Sequence, residues 1–214
     1  MDLSLREAAR ILNVSESTLS RWVNEEGLSA VVINGRYRIN RVDLLEWANQ
    51  RKIDTTVLYA AAPESIALHA LLEGNIHYGV AASDVNSAMA AVAQLLPLPS
   101  ARDKALAAQA LAEREASAST GIGDGIAIPH AQSPLVFPVE RPMLALCFLA
   151  RPIPFDAPDG KPVDVVWVLV SPTIRAHLAL LARVASVLHD GKLRLLLAKR
   201  SPAPEILARV KELS

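Results

Sequence analysis

Cysteine is nearly missing from this chain: Cys147, within MLALCFLA, is the only one. A single thiol forms no internal disulfide and supplies no CxxC metal pair, so Cys147 reads as a buried strand residue and the chain as intracellular. Aromatic residues make up only 4%, which leaves alanine and leucine to build the core and favours helices. Neither sign of charge is in excess, with 22 Lys and Arg against 22 Asp and Glu. Zero net charge excludes wholesale attraction to nucleic acid or membrane, but not a local basic surface. Long apolar runs are missing too. VDVVWVLV is strand-sized, far short of the roughly 20 residues of a membrane helix. The N-terminus, MDLSLREAAR, has no apolar region of a signal peptide. The expectation is a cytoplasmic protein with no membrane insertion.

Several chemical motifs are absent as well. There is no GxxxxGK[ST] phosphate loop. A dinucleotide fingerprint fails because Ile126 stands where its last glycine belongs. HExxH is missing, which removes the two-histidine zinc helix, and no G-x-S-x-G elbow suggests a serine hydrolase.

What is present is an apolar fraction of 51% over 214 residues, enough for one or two domains with real cores. Residues 1–53 read as helix, turn, helix, hairpin, helix. In LREAARILNV, Leu5, Ala8, Ala9 and Leu12 share one helical face. Ser15 is a good N-cap for the next helix, which stops at Gly27. AVVI and RYRI are short strands joined by Asn34-Gly35, a strong hairpin signal. RVDLLEWANQRK closes the unit, with Val42, Leu45 and Trp47 turned inward. IDTTVLYAAA, residues 53–62, is a junction or a first strand. Residues 54–214 read as one α/β domain. Helices are expected at Pro63–Glu73, Ser83–Leu96, Arg102–Glu115, Thr173–His189, Lys192–Lys199 and Pro204–Leu213, and inner strands at Pro142–Ala150 and Val163–Val170.

A helix-turn-helix with a two-stranded wing docks on duplex DNA by placing its second helix in the major groove. The first turns of that helix offer Glu16, Ser17, Thr18, Ser20 and Arg21, mostly small and polar. Arg36 and Arg38, at alternate positions of one wing strand, suit phosphates or the minor groove. LSLREAARILNVSESTLSRWVNEEGLSAVVINGRYRINRVDLLEWANQ closely resembles the excisionase/MerR-like family of small DNA-binding domains. One feature departs from a strong DNA binder: residues 1–53 hold eight Lys or Arg against seven Asp or Glu. Phosphate neutralisation is therefore small, and a homodimer on paired half-sites would help. A protein-binding role for this unit, favoured by Glu16, Glu25 and Glu26, stays open.

The stretch STGIGDGIAIPHAQ, Ser119 to Gln132, packs Gly121, Gly123 and Gly125 before Pro129 and His130. Alternating glycines let the backbone come close to a bulky partner or an anion. A neutral imidazole is a good nucleophile near neutral pH. Phosphoryl transfer asks for positioning and for donors to the equatorial oxygens. Arg114 ends an alanine-rich helix just upstream, and its guanidinium suits phosphate. His177, one turn into a later helix, is a second imidazole. His69, His77 and His189 match no motif and read as surface or capping residues.

REASASTGIGDGIAIPHAQ resembles the active-site signature of enzyme IIA domains of the phosphoenolpyruvate-dependent sugar phosphotransferase system, of the fructose/mannitol and nitrogen-regulatory type. PIPFDAPDGKPVDVVWVLVSP, HLALLARVASVL and the tail Asp190 to Leu197 extend the likeness over roughly residues 55–214. The resemblance implies an α/β fold with a mixed sheet flanked by helices. It implies that His130 accepts a phosphoryl group from HPr or its nitrogen-branch counterpart, as a phosphoryl carrier rather than a turnover enzyme. On matching positions, His177 is the second active-site histidine, Arg114 the arginine beside the site, and Thr120 a neighbour of the phosphohistidine. No metal, nucleotide or other cofactor is implied. The glycine segment is expected to let the partner protein approach.

Three functions stay open on the sequence. In the first, phosphorylation of His130 is coupled to DNA binding and transcription regulation. In the second, phosphate passes on to a separate sugar permease. In the third, an unphosphorylated module binds regulatory protein targets.

Overall fold

The computed structural model describes residues 2–12, 14–33, 35–51, 53, 67–132, 139 and 141–213. The chain divides into two compact units, Met1–Pro63 and Glu64–Ser214. The junction expected at residues 53–62 lies, from 54 on, outside the described residues. So do Asn34 of the hairpin turn and the start of the helix expected from Pro63.

The N-terminal unit runs β1 (Asp2–Ser4), α1 (Leu5–Ile11), α2 (Glu16–Glu25), β2 (Val31–Ile33), β3 (Arg36–Asn40) and α3 (Arg41–Gln50). The two expected wing strands are joined by a third, β1, giving an antiparallel sheet in the order β1-β3-β2. Three residues, Asp-Leu-Ser, carry too little alternation to announce a strand. Leu3 opposite Ile39 sets the register and turns both side chains into the core. Helix α2 begins where Ser15 accepts the Thr18 N–H at 3.0 Å. It ends at Gly27, whose φ of 77° turns the chain so that the Leu28 N–H returns to the Trp22 carbonyl at 3.0 Å.

Ala8, Ala9, Leu12, Leu19, Trp22, Leu28, Ile39, Leu44, Trp47 and Ala48 form the buried interior of this unit. Trp47 is inward as expected; the side chains of Val42 and Leu45 lie outside the description. The Trp22 and Trp47 rings meet at 4.8 Å and 40°. Arg51 lies over the Trp47 ring at 4.2 Å, and the Trp47 indole N–H donates to the Glu26 carbonyl at 3.1 Å. These contacts tie the end of α2 to α3.

The C-terminal unit is α/β, with α4 (Leu68–Leu72), β4 (Ile76–Val80), α5 (Val85–Leu95), α6 (Ala101–Ser117), β5 (Gly121–Gly123), β6 (Ile126–Ala127), β7 (Met143–Ile153), β8 (Val163–Val170), α7 (Ile174–Leu188), α8 (Gly191–Ala198) and α9 (Ala203–Leu213). Its five-stranded sheet has the order β4-β7-β8-β6-β5. The β4/β7 and β6/β8 pairs are parallel, and β7/β8 and β5/β6 antiparallel, so the sheet is mixed as expected. Four of the helices, α5 to α8, start on side-chain caps: Asp84 with Ser87 in a capping box, then Ser100, Thr173 and Asp190.

Strand alternation divides the core into two layers. Ala145, Cys147, Leu149, Val166 and Val168 face α5 and α6 through Ala88, Met89, Val92, Ala107 and Leu111. Leu144, Leu146, Phe148, Val165, Trp167 and Leu169 face the other way, toward α4 and α7 to α9. Both central strands are buried on both faces, which is why they read as unbroken apolar runs. Among the described residues, no helix is long and apolar enough to cross a membrane.

Leu19, fully buried in the small N-terminal core, is expected to be critical there. Leu19→Ala should cost about 2–5 kcal/mol, read as lost amide-exchange protection across α1 to α3.

Candidate functional site

The glycine segment forms a hairpin that the sequence did not announce as strands. Gly121 pairs with Ala127 and Gly123 with Ile126. The turn holds three successive residues at positive φ: Gly123 at 87°, Asp124 at 53° and Gly125 at 75°. A Cβ on Gly121 would lie 2.7 Å from the Ala157 Cβ, and one on Gly125 would lie 3.1 Å from the Asp164 Oδ1. The close approach is therefore made by the chain itself. This corrects the expectation that the glycine spacing serves an incoming partner. At the tip, the Asp124 N–H donates to Asp159 Oδ2 at 2.8 Å, and the Asp124 carboxylate is paired with Arg194 and Lys161. Arg194 belongs to the tail quoted from Asp190 to Leu197, but nothing in the sequence named its partner.

Beyond the hairpin, β6 runs parallel to β8, and a parallel bridge between His130 and Leu169 continues that pairing. The Leu169 N–H donates to the Pro129 carbonyl at 3.2 Å. His130 is thus held at the end of the sheet, only 1% exposed. Its Nδ1 lies 2.7 Å from the Ile128 carbonyl oxygen. A carbonyl only accepts, so Nδ1 carries the proton, and in the neutral ring the lone pair is on Nε2. The Ile128 N–H in turn donates to the Thr120 carbonyl at 3.1 Å, which links Thr120 to His130 through one residue.

His177 comes from the first turn of α7, its N–H bonded to the Thr173 carbonyl at 2.9 Å. The two imidazole rings lie 5.1 Å apart at 50°. His177 is also 1% exposed, and its Nε2 has no partner among the described residues. Burial, followed by the neighbouring His130 and Arg114, pushes its pKa down to about 3. It is a neutral imidazole at any physiological pH.

Arg114 sits buried in the last turn of α6, where its Nη1 donates to the Ala118 carbonyl at 2.7 Å. Thr120 is buried and committed: its N–H donates to Glu115 Oε1 at 2.8 Å and its hydroxyl donates to Glu115 Oε2. Glu115 was missed by sequence reasoning, because a glutamate in the run AEREAS looks like one more solvated helix residue. Burial raises its pKa, against the lowering effect of the Thr120 bonds. Ser171, buried between β8 and α7, was missed as well. His189 is exposed at the end of α7, as expected. His69 and His77 are not simple surface residues: each has a buried ring nitrogen without a partner among the described residues.

In the N-terminal unit, Ser17 is exposed in the first turn of α2 and Thr18 half-buried beside it. Both hydroxyls lie within hydrogen-bond distance of the Ser15 Oγ, at 2.8 and 2.7 Å. Arg21 is exposed, with Glu26 at 3.4 Å. Arg36 is exposed and Arg38 half-buried, two residues apart on β3 and so on one face of it. The structure thus carries the helix and wing residues on one small unit.

Residues 70–213 match the family model described as the phosphoenolpyruvate-dependent sugar phosphotransferase system, EIIA 2. Residues 3–52 match a helix-turn-helix domain. The chain is 38% identical over 102 residues to a nitrogen regulatory protein of Pseudomonas aeruginosa, covering 47% of this chain and 64% of that one. It is 36% identical over 115 residues to the fructose-specific EIIA component of Haloferax volcanii, covering 51% of this chain and 73% of the relative. The crystal structure of nitrogen regulatory protein IIA-Ntr from Neisseria meningitidis superposes with a TM-score of 0.59 at 28% identity, over 68% of this chain and 99% of that one. The mannitol IIA structure from Escherichia coli, at 19% identity and a TM-score of 0.54 over 64% of this chain and 96% of that one, shares the fold.

Two measurements test the site's geometry. Gly121→Ala must displace backbone at Ala157 and should cost about 1–3 kcal/mol, read as a lower urea midpoint. In an NMR titration of the wild type, the His177 ring should stay neutral from pH 8 down to pH 5. The unfolded chain protonates this residue near 6.5 and the folded chain only near about 3. Its contribution to stability is thus complete above the first value and lost as pH falls through the second.

Proposed function

The chain belongs to the phosphotransferase system EIIA 2 family and carries an N-terminal helix-turn-helix domain, and on that premise we propose that it is a phosphotransferase-linked regulator whose His130 accepts a phosphoryl group. The observation that carries this reading is the 2.7 Å contact from His130 Nδ1 to the Ile128 carbonyl. It leaves the Nε2 lone pair as the nucleophile. The donor would be a phosphohistidine on an HPr-type carrier. The carrier's N–P bond breaks, its electron pair returning to the carrier's ring, and the new bond forms at His130 Nε2. The proton on Nδ1 stays where it is. No activation step is needed, because the phosphoryl group arrives already activated.

The neighbours divide the remaining work. His177, held neutral, donates through Nε2–H to a phosphoryl oxygen. Arg114 brings a guanidinium charge to the same side of the site. Thr120 and Glu115 hold the strand that leads to His130. At 1% exposure, the ring must be uncovered before a carrier reaches it.

Residues 1–53 would read duplex DNA, with Ser17, Thr18 and Arg21 at the groove and Arg36 and Arg38 at phosphates or the minor groove. Residues 54–214 would sense the carrier. The helix-turn-helix unit favours regulation over a sugar relay, which would leave that unit without a role. Cys147 offers no alternative acceptor, since burial pushes its thiol up to about 12.

The test combines the full chain with phosphoenolpyruvate, enzyme I and HPr or its nitrogen-branch homologue. The expected result is an acid-labile gain of one phosphate that His130→Ala abolishes. Correctly folded protein that gains none with either carrier overturns the acceptor role. Duplexes selected by the full chain from a random pool should bind the phosphorylated and unphosphorylated forms with different affinity; equal affinity removes the coupling.

A further inference from the structure

At the end of β8, which pairs with the segment carrying His130, lies a buried hydroxyl with no assigned role. Ser171 follows the last residue of β8 and is 1% exposed. Its Oγ has no hydrogen-bond partner among the described residues. Buried polar groups are normally paired, so one left open at a site marks a place where a partner arrives. A second open atom, His177 Nε2, follows in the first turn of α7. Two unsatisfied polar atoms therefore lie on the short path from β8 into α7.

The sheet sets their relation to His130. Side chains of Val165, Trp167 and Leu169 share the layer that also holds Ile126 and Ile128. His130 carries the Ile126–Ile128 alternation one step further, and Ser171 does the same for Trp167–Leu169. The parallel bridge pairs His130 with Leu169, so continuing the strand's alternation past Val170 puts Ser171 at the diagonal position from His130 on that face. His177 reaches the same layer from α7, which packs there through Leu180, Leu181 and Val184.

We propose that the Ser171 hydroxyl is a further donor to the phosphoryl group carried on His130, which rests on the phosphoryl-acceptor reading above. A phosphoryl group has several acceptor oxygens, and a hydroxyl beside a neutral imidazole gives two of them donors without adding charge. Ser171 then stabilises the phosphorylated form while leaving the resting form with an unpaired hydroxyl. It shifts the balance of phosphate between carrier and acceptor.

The experiment uses the full chain, wild type and Ser171→Ala, equilibrated with phosphorylated HPr or its nitrogen-branch homologue. Loss of one net hydrogen bond should move the transfer equilibrium about five- to tenfold toward the carrier. The urea midpoint of the unphosphorylated variant should be unchanged or higher, because an unpaired buried hydroxyl is gone. The 31P titration of the phosphohistidine should move to higher pH, a change that a structural role would not produce. Ser171→Cys, which keeps the shape and weakens the donor, should move in the same direction if the alanine variant folds poorly. A transfer equilibrium within twofold of wild type, with an unmoved 31P titration, overturns the proposal. A wild-type chain that takes no phosphate defeats the acceptor reading instead, and is told apart because wild type and variant are then equally blank.

Discussion

Two imidazoles buried 5.1 Å apart at the end of a sheet set the terms for everything around them. Both cannot be charged in that setting, since burial and mutual repulsion each oppose it. His177 answers by staying neutral, its pKa pushed down to about 3. His130 is oriented by donating its Nδ1–H to the Ile128 carbonyl. The pairing of β6 with β8 and the start of α7 exist, from this viewpoint, to bring two chain segments 47 positions apart in sequence to one place.

The glycine hairpin holds the strand that leads to His130 from the other side. Positive φ angles at its turn and the clearance beneath Gly121 let it lie flat on Ala157 and the loop that follows. Asp124 pins its tip to Arg194 and Lys161. These surface pairs contribute little stability individually, but they fix where β6 points. Glu115 reaches the same hairpin from α6 by binding Thr120 through both its N–H and its hydroxyl. A buried carboxylate is costly unless paired, so these two hydrogen bonds from Thr120 tie the helix end firmly to the strand start.

The N-terminal unit solves a different problem with few residues. Its interior leans on the Trp22–Trp47 contact and on a third strand that closes the sheet. The surface left over is polar along α2 and basic at Arg36 and Arg38 on β3. Its near-neutral charge means that DNA affinity would come from shape and from paired copies more than from bulk attraction.

Much of this was legible along the chain. Periodicity and caps placed the helices to within a few residues, and the unbroken apolar runs placed β7 and β8 inside the sheet. The motif ending at His130 singled out that residue, the resemblance over roughly residues 55–214 grouped it with His177, Arg114 and Thr120, and the fold brings the two imidazoles together. The three-residue β1 and the two-residue β6 were not legible, because strands that short carry no period and owe their existence to the neighbour that pairs them. Glu115 and Ser171 were hidden for a related reason: burial of a polar side chain is a property of what packs over it, not of its own neighbours in sequence. By itself the sequence determined residue types, local periodicity and turn chemistry, and with them the two units and the histidine at the end of the glycine motif. Only the tertiary structure decided that His177 stays neutral and that the glycines yield to the chain's own loop, because each of these depends on contacts between segments far apart along the chain.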